Sequence, residues 1–439
     1  MNETVQINLH VYAAICGYFA DRSTSRRSPL LLGLIALAGA TVMLNVGSSI
    51  GVLIIGRVLQ GISAAVVWVV GLALLVDTVG PDSIGQAMGY VGLAMSLGIL
   101  LAPLLGGVVF EKGGYDAVFG MAYGLIAVDI VLRLLVVEKK IAKKWLPDEE
   151  VISQDEATEK NQDVDIEKMK RVSEARSAPE ATIPLQGSVA NIEDKPKSRR
   201  KRLPPIITLL ASRRLLAALW GIFVQATLMT SFDSVLPLFV KRVFGWDSTG
   251  AGKVSYVPIP NYILTRLGLI FLPLVVPSFI QPVVGWISDK YGPRWPSTIG
   301  FLLVVPIYVC LRFVTENNVR QKVLLCALLA LIGVAVSLAL APLMAEISYV
   351  VAAKEKKMKE RGEEGFGEKG AYAQAYGLFN MAFAGGCLVG PVWGGMLVDK
   401  AGWGTMCWSL GLLSGITALP TFLLVGGWVG KRTEKGVGK

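Results

Sequence analysis

Apolar residues in this chain run in long uninterrupted blocks. There is no regular alternation with polar positions of the kind a half-buried strand or a surface helix shows. The blocks are Ile7–Ala20, Pro29–Ser49, Gly51–Val76, Gln86–Phe110 and Gly114–Val137, then Leu215–Val240, Leu267–Ser288, Ser297–Val314, Val323–Val350, Ala373–Val398 and Met406–Val429. A helix of about 20 residues crosses a hydrocarbon core about 30 Å thick. Lipid accepts apolar side chains on every face, so such helices need no amphipathic stripe. The pattern therefore predicts ten full spans and a fragment. As a helix, Ile7–Ala20 rises only about 21 Å, short of the core.

The polar stretches between the blocks carry the charge, and they carry it unevenly. Arg22, Arg26 and Arg27 follow the fragment, the next loop at 45–50 has no charge, and 138–206 is rich in Lys and Arg, ending in the run Lys197–Arg202. Basic loops face the cytoplasm. The loop at 21–28, the 138–206 stretch and the C-terminal tail are therefore expected on that side, with the N-terminus as written outside. The stretch 138–206 is also rich in Glu, Asp, Ser and Pro and poor in aromatics. It cannot bury enough apolar surface to order itself and is expected to be a disordered tether. Four regions follow: an N-terminal helical bundle over 1–137, the linker 138–206, a C-terminal bundle over 207–430 and a cytoplasmic tail over 431–439.

Composition agrees with the blocks. The chain is 53% hydrophobic and 17% charged, where a soluble domain carries about 25% charged residues. A net charge of +10 fits basic cytoplasmic loops. There is no arginine-rich face interleaved with aromatics, so nucleic acid is not expected as a partner. The cysteines Cys16, Cys310, Cys326, Cys387 and Cys407 lie apart in apolar segments without a CxxC pair, and His10 has no partner nearby. No metal, no cofactor and no catalytic cluster are expected, and no G-x-x-x-x-G-K-[ST] motif points to ATP.

The chain repeats itself. Gly17-Tyr-Phe-Ala-Asp21-Arg22 opens one basic loop, and Gly285-Trp-Ile-Ser-Asp289-Lys290 opens another in the second group of spans. Gly98-Ile-Leu-Leu-Ala102-Pro103-Leu-Leu-Gly106-Gly107 is matched by Gly386-Cys-Leu-Val-Gly390-Pro391-Val-Trp-Gly394-Gly395. Two motifs copied at corresponding helices imply two related halves, as in transporters built from pseudo-symmetric repeats. An Asp beside basic residues can hold helix ends together in one closed state. Small residues every fourth position let helix backbones approach closely, and a proline bends its helix.

On these residues the chain resembles the major facilitator superfamily. Gly17, Asp21, Arg22 and Arg27 look like the family's gating-loop motif, echoed by Gly285, Asp289 and Lys290. Arg57-Val-Leu-Gln60-Gly61 looks like the motif of its fourth helix, whose arginine is linked to proton coupling. Gly98, Pro103, Gly106 and Gly107, with Gly386, Gly390, Pro391, Gly394 and Gly395, look like its antiporter motif and the second-half copy, although Ala102 stands where Gly is usual. More narrowly, the chain is similar to the vesicular amine and drug:proton antiporter branch in a fungal-type version. Ser231-Phe-Asp233-Ser-Val-Leu-Pro237 resembles that branch's seventh helix, where an acid helps form the substrate site. The resemblance implies an all-α, two-bundle membrane transporter with about 10–11 of twelve helices present, so that the first family helix and part of the second are missing. It also implies acids on helices ten and eleven, where Ser337 and Asn380 stand here.

Charges inside a membrane are expensive and face a cavity or a partner. Arg57, Asp233, Asp129 and Glu346 lie within spans. Asp129 and Arg133 are four apart and can pair on one helix face. Glu346 lies near the cytoplasmic end of its helix. Asp233 has no opposite charge within one turn, so it is the candidate for binding an organic cation or a proton. Asp233, Arg57, Asp129, Glu346 and Asn380 are the expected substrate and coupling residues.

The expected activity is proton-coupled antiport or efflux of a drug-like, amine-like or secondary-metabolite compound. The partners are then a small organic substrate, protons and the bilayer, and the expected state is a monomer in the plasma membrane or a vacuolar or vesicular membrane. The alternative is a non-transporting membrane protein, a sensor or a decayed copy. The polar, proline-bearing stretch 253–268 reads either as an outer loop or as a translated intron.

Overall fold

The computed structural model describes residues 17–18, 20–21, 26–80, 83–135, 204–245, 272–363, 365–367 and 370–427. Among them there is helix and no strand. Helices are α1 (Arg27–Val46), α2 (Ile50–Val79), α3 (Ile84–Leu135), α4 (Pro205–Leu210), α5 (Arg213–Phe244), α6 (Gln281–Tyr291), α7 (Arg294–Leu311), α8 (Val319–Glu360), α9 (Tyr372–Ala401) and α10 (Trp403–Leu424). Nine helical stretches in the described residues are long and apolar enough to cross a membrane, two of them within α3. Large apolar side chains such as Leu32, Val46, Leu135 and Leu238 stand exposed on their outer faces. A water-facing surface does not carry so many; a lipid-facing one does.

Local chemistry sets the helix ends. The Ser49 hydroxyl accepts the Val52 N–H at the start of α2, a standard N-cap. Gly80 and Gly245 end α2 and α5 with φ of 82° and 65°, a backbone region that glycine enters without strain. The expected spans Gln86–Phe110 and Gly114–Val137 are continuous in α3 except at Gly114, where φ is 72° and ψ −166°.

Two spans differ from expectation. Within Leu267–Ser288, of which the residues from 272 on are described, a 3-10 turn at Val276–Ile280 interrupts the helix before α6. Pro277 and Pro282 each lack the N–H that would continue the α-helical ladder. The span expected at Val323–Val350 runs from Val319 to Glu360. Lys and Glu are strong helix formers, and a Glu355–Lys359 pair at 3.2 Å supports the extension. At 1.5 Å per residue α8 is about 63 Å long, so its charged end continues past the membrane. Apart from residues 204–206, where α4 begins, the linker 138–206 lies outside the described residues, as do 253–268 and the tail 431–439.

The buried apolar core is centred on α5, α7, α8, α9 and α10, and it reaches Leu72, Val76, Ile84 and Met88 of α2 and α3. Helix α5 packs on α9, α8 and α10, α7 lies against α8 and α10, and α1 lies on α2. The first group of helices meets the second where α2 packs on α9 and where α3 crosses α6. At that crossing a Cβ on Gly285 would sit 2.0 Å from the Gly85 carbonyl oxygen, and one on Gly89 2.4 Å from that of Gln281.

Candidate functional site

The two copies of the loop motif do the same thing in opposite directions. The Asp21 carboxylate accepts the backbone N–H groups of Ala373 and Gln374, both at 3.0 Å, at the start of α9. The Asp289 carboxylate accepts those of Gly85 and Gln86, at 2.7 and 2.9 Å, at the start of α3. A helix N-terminus carries unsatisfied N–H groups and a partial positive charge, so a carboxylate there is doubly favoured. The motif glycines make the approach possible. One turn before each acid, Gly17 lies against the Ala373 carbonyl and Gly285 against that of Gly85, and a Cβ at either would clash with backbone.

The neighbours of the two acids differ. Arg26 is 2% exposed and bonds the Asp21 carboxylate, the Ala20 carbonyl and Asp77 Oδ2 on α2 at 3.1 Å. Asp289 instead receives the hydroxyl of Tyr349 on α8. Burial pushes the Asp21 carboxyl above the usual carboxylate range, and the Gln374 and Ala373 N–H groups and Arg26 pull it back. The sequence pattern singled out Arg22 and Arg27 in this loop. Arg22 lies outside the described residues, and Arg27 donates to the Leu134 carbonyl at the end of α3. The residue that ties the acids together is Arg26. Its second-half counterpart by position, Arg294, binds the carbonyls of Val425 and Gly427. The Lys290 ammonium lies over the rings of Trp286 and Tyr291, 5.3 and 5.5 Å from their centroids.

The charges within spans separate into engaged and open. Glu346 is fully buried, takes both forks of Arg214 at 2.8 and 3.0 Å and accepts the Gly426 N–H at 2.9 Å. It is therefore sealed from solvent by its partners. Asp129 pairs with Arg133 at 3.3 Å, both partly exposed. Arg57 is exposed and donates to Gln60 Oε1 at 3.0 Å. Asp233, on α5, makes no hydrogen bond or ion pair among the described residues, and its side chain faces open space within electrostatic reach of Tyr308 and Cys387. Asn380 is buried on α9. Ser337 accepts Gln281 Nε2 at 3.4 Å, and the same amide donates to Ser96 on α3 at 3.3 Å, while Gln281 Oε1 is buried without a partner among the described residues. Gln281, Arg26, Asp77, Tyr349 and Arg214 are contact residues that motif spacing alone did not mark.

The antiporter-type motif behaves differently in its two copies. On α9, an added methyl at Gly386 would lie 2.2 Å from the Phe223 carbonyl oxygen, and one at Gly390 2.7 Å from that of Thr227. Ser231 donates to the Gly390 carbonyl at 2.9 Å, and Gly394 also faces α5 at Ser231 and Val235. Gly395 faces open space. Pro391 lies inside α9. On α3, methyls added at Gly98 or Gly106 meet nothing within 4 Å among the described residues. Gly107 and Pro103 continue the same helix.

An outer surface of exposed apolar side chains, nine membrane-length helical stretches among the described residues and paired carboxylate–helix contacts define an integral, multi-pass helical membrane protein. The family model of the Major Facilitator Superfamily matches residues 11–272 and 262–438, and the chain belongs to that superfamily. It is 31% identical over 432 residues to the MFS-type transporter ppzB of Metarhizium rileyi (strain RCEF 4871), covering 94% of this chain and 83% of that one. A stretch of 148 residues is 30% identical to the mouse synaptic vesicular amine transporter, covering 31% of this chain and 28% of that one. In fold it is similar to the human organic anion transporter MFSD10 (TETRAN), with a TM-score of 0.58 and 17% identity over 95% of this chain and 82% of that one. The activity that this membership assigns is secondary transport of a small organic solute.

Proposed function

We propose that the chain exchanges protons for an amphipathic organic compound, drug-like or amine-like, binding both in turn at a midplane site that includes Asp233. One observation carries this reading. Among the intramembrane carboxylates named above, Asp129 and Glu346 hold a cation, whereas Asp233 holds none among the described residues and is exposed. An unpaired carboxylate toward lipid is costly, so a polar cavity between two rocking halves is the environment that suits it. A group with no fixed partner can give its place to a proton or to an ammonium. The local match to a vesicular amine transporter supports the amine-like class. Ser337 and Asn380, neutral where that branch has acids, argue for a less highly charged substrate. The reading places the basic loops in the cytoplasm and the monomer in the plasma membrane or a vacuolar or vesicular membrane.

The test is uptake into reconstituted vesicles of a panel of cationic and neutral lipophilic compounds, with and without an imposed pH gradient. Asp233→Asn is expected to abolish gradient-driven uptake while the protein still inserts, and Asp233→Glu to retain part of it. Full gradient-driven uptake by Asp233→Asn would remove this residue from the mechanism.

A further inference from the structure

Between the two carboxylate–helix contacts lies a cavity of about 110 Å³ lined by Val76, Asp77, Ile84, Tyr349, Ala352 and Tyr372. Asp77, Ile84, Tyr349 and Tyr372 each belong to one of the contacts or to its support. Asp77 holds Arg26, which holds Asp21. Tyr372 opens α9, whose next two N–H groups bond Asp21. Ile84 opens α3, whose next two N–H groups bond Asp289, and Tyr349 donates to the same carboxylate. A molecule in this cavity therefore touches both groups of helices at once, at the end of the bundle that the basic loops assign to the cytoplasm.

The lining states the chemistry of the occupant. Asp77 is partly exposed, and its Oδ2 takes Arg26 while Oδ1 makes no hydrogen bond among the described residues. Around the cavity the described contacts include three carboxylates, Asp21, Asp77 and Asp289, against the single guanidinium of Arg26. Lys290 is turned onto Trp286 and Tyr291, and Lys354 onto the Thr208 carbonyl. The local balance favours a cation. Two tyrosine rings suit an ammonium, and Val76, Ile84 and Ala352 suit a short aliphatic body. An apolar cavity of about 150 Å³ holds a benzene molecule, so this smaller one fits about five heavy atoms.

We propose that this cavity is a regulatory site for a small primary alkylammonium ion, which wedges between the two helix groups and holds the basic end closed. The site is distinct from the one around Asp233. Its regulatory meaning rests on the reading that transport requires this end to open, but its occupancy does not. The ammonium would bond Asp77 Oδ1, with the alkyl chain against Ala352 on α8 and Ile84 on α3. A ligand that binds only the closed state lowers the open population by the factor 1 + [L]/Kd.

The experiment is peptide-level hydrogen exchange on the full chain in nanodiscs, with no pH gradient, reading the segments 83–90 and 370–378. Millimolar n-butylammonium, titrated to about ten times its dissociation constant, is expected to slow exchange in both segments about tenfold. The neutral isostere n-butanol is expected to leave both unchanged. Ala352→Leu, which fills the cavity without touching a charge, is expected to abolish the slowing, and Asp77→Asn to weaken it. Asp233→Asn is expected to keep it. No slowing, equal slowing by n-butanol, or slowing that survives Ala352→Leu would overturn the proposal. Slowing lost in Asp233→Asn would assign the effect to the midplane site instead. Failure of proton-coupled uptake shows only in the vesicle assay, so the two readings fail separately.

Discussion

At the scale of single residues, identity of charge matters less than what each charge meets. Glu346 and Asp233 are both acids inside spans, and pattern alone gives them the same standing. Glu346 is sealed against Arg214 and the Gly426 N–H. Removing one partner of a buried pair leaves the other uncompensated, at about 3–5 kcal/mol. Arg214→Leu should therefore lower the thermal unfolding midpoint in detergent markedly, and the double substitution with Glu346→Leu should recover part of the loss. An unchanged midpoint in the single variant would show that the pair is not closed in solution. Asp129 and Arg133 are half-exposed and adjacent on one helix face. Exposed pairs of this kind contribute about 0.3–0.5 kcal/mol, so Asp129→Asn should leave the midpoint nearly unaltered.

At the scale of elements, the glycine motifs read alike in sequence but pack unlike in space. Gly386 and Gly390 let α9 lie backbone to backbone on α5, and Ser231 seals the contact with a hydrogen bond. Gly390→Val has no room to relax, because its neighbours are the Thr227 carbonyl and the Thr230 side chain. Overpacking of this kind costs about 1–3 kcal/mol, and the variant should show a lowered unfolding midpoint and reduced folded yield. Gly98 is the control. Its added side chain meets nothing described within 4 Å, so Gly98→Val should give nearly the parent midpoint. Equal losses at the two positions would show that the α3 copy also packs closely. The broken helix before α6 makes a related point. An apolar run long enough to span was legible, but the 3-10 turn at Val276–Ile280 arises from the N–H groups that Pro277 and Pro282 lack, which hydropathy does not register.

At the scale of the whole molecule, the two groups of helices are held at their basic end by reciprocal bonds, Asp21 to α9 and Asp289 to α3. Each bond joins an acid to the start of a helix in the other group, so both must break before that end opens. Asp21→Asn keeps the size but gives up the charge-assisted bonds, which are roughly twice as strong as neutral ones. Hydrogen exchange at 370–378 should rise in Asp21→Asn, and exchange at 83–90 should rise in Asp289→Asn. If the halves part as rigid units, each should also disturb the other segment. Exchange that rose only locally would show the two contacts opening independently. Asp21→Asn should have the wider effect, since it also removes one of the two carboxylates that Arg26 joins.

The membrane class, most spans and both repeated motifs were legible in the sequence because each depends on local chemistry: an apolar run fits lipid whatever it packs against, and a duplicated Gly-x-x-x-Asp string is visible without knowing its partner. The partners were not legible. Asp21 meets residues 373 and 374, and Asp289 meets 85 and 86, separations of hundreds of positions with no covalent or periodic mark. That Arg26 and not Arg27 ties the acids, that Glu346 is sealed while Asp233 stands open, and that a cavity opens between Asp77 and Tyr349 were all decided by tertiary packing. The physical reason is that a backbone N–H or an empty space near a charge belongs to whichever helix arrives beside it. The helices were written into the chain as segments, and only their folding together determined which charges were spent on holding the molecule and which were left to act.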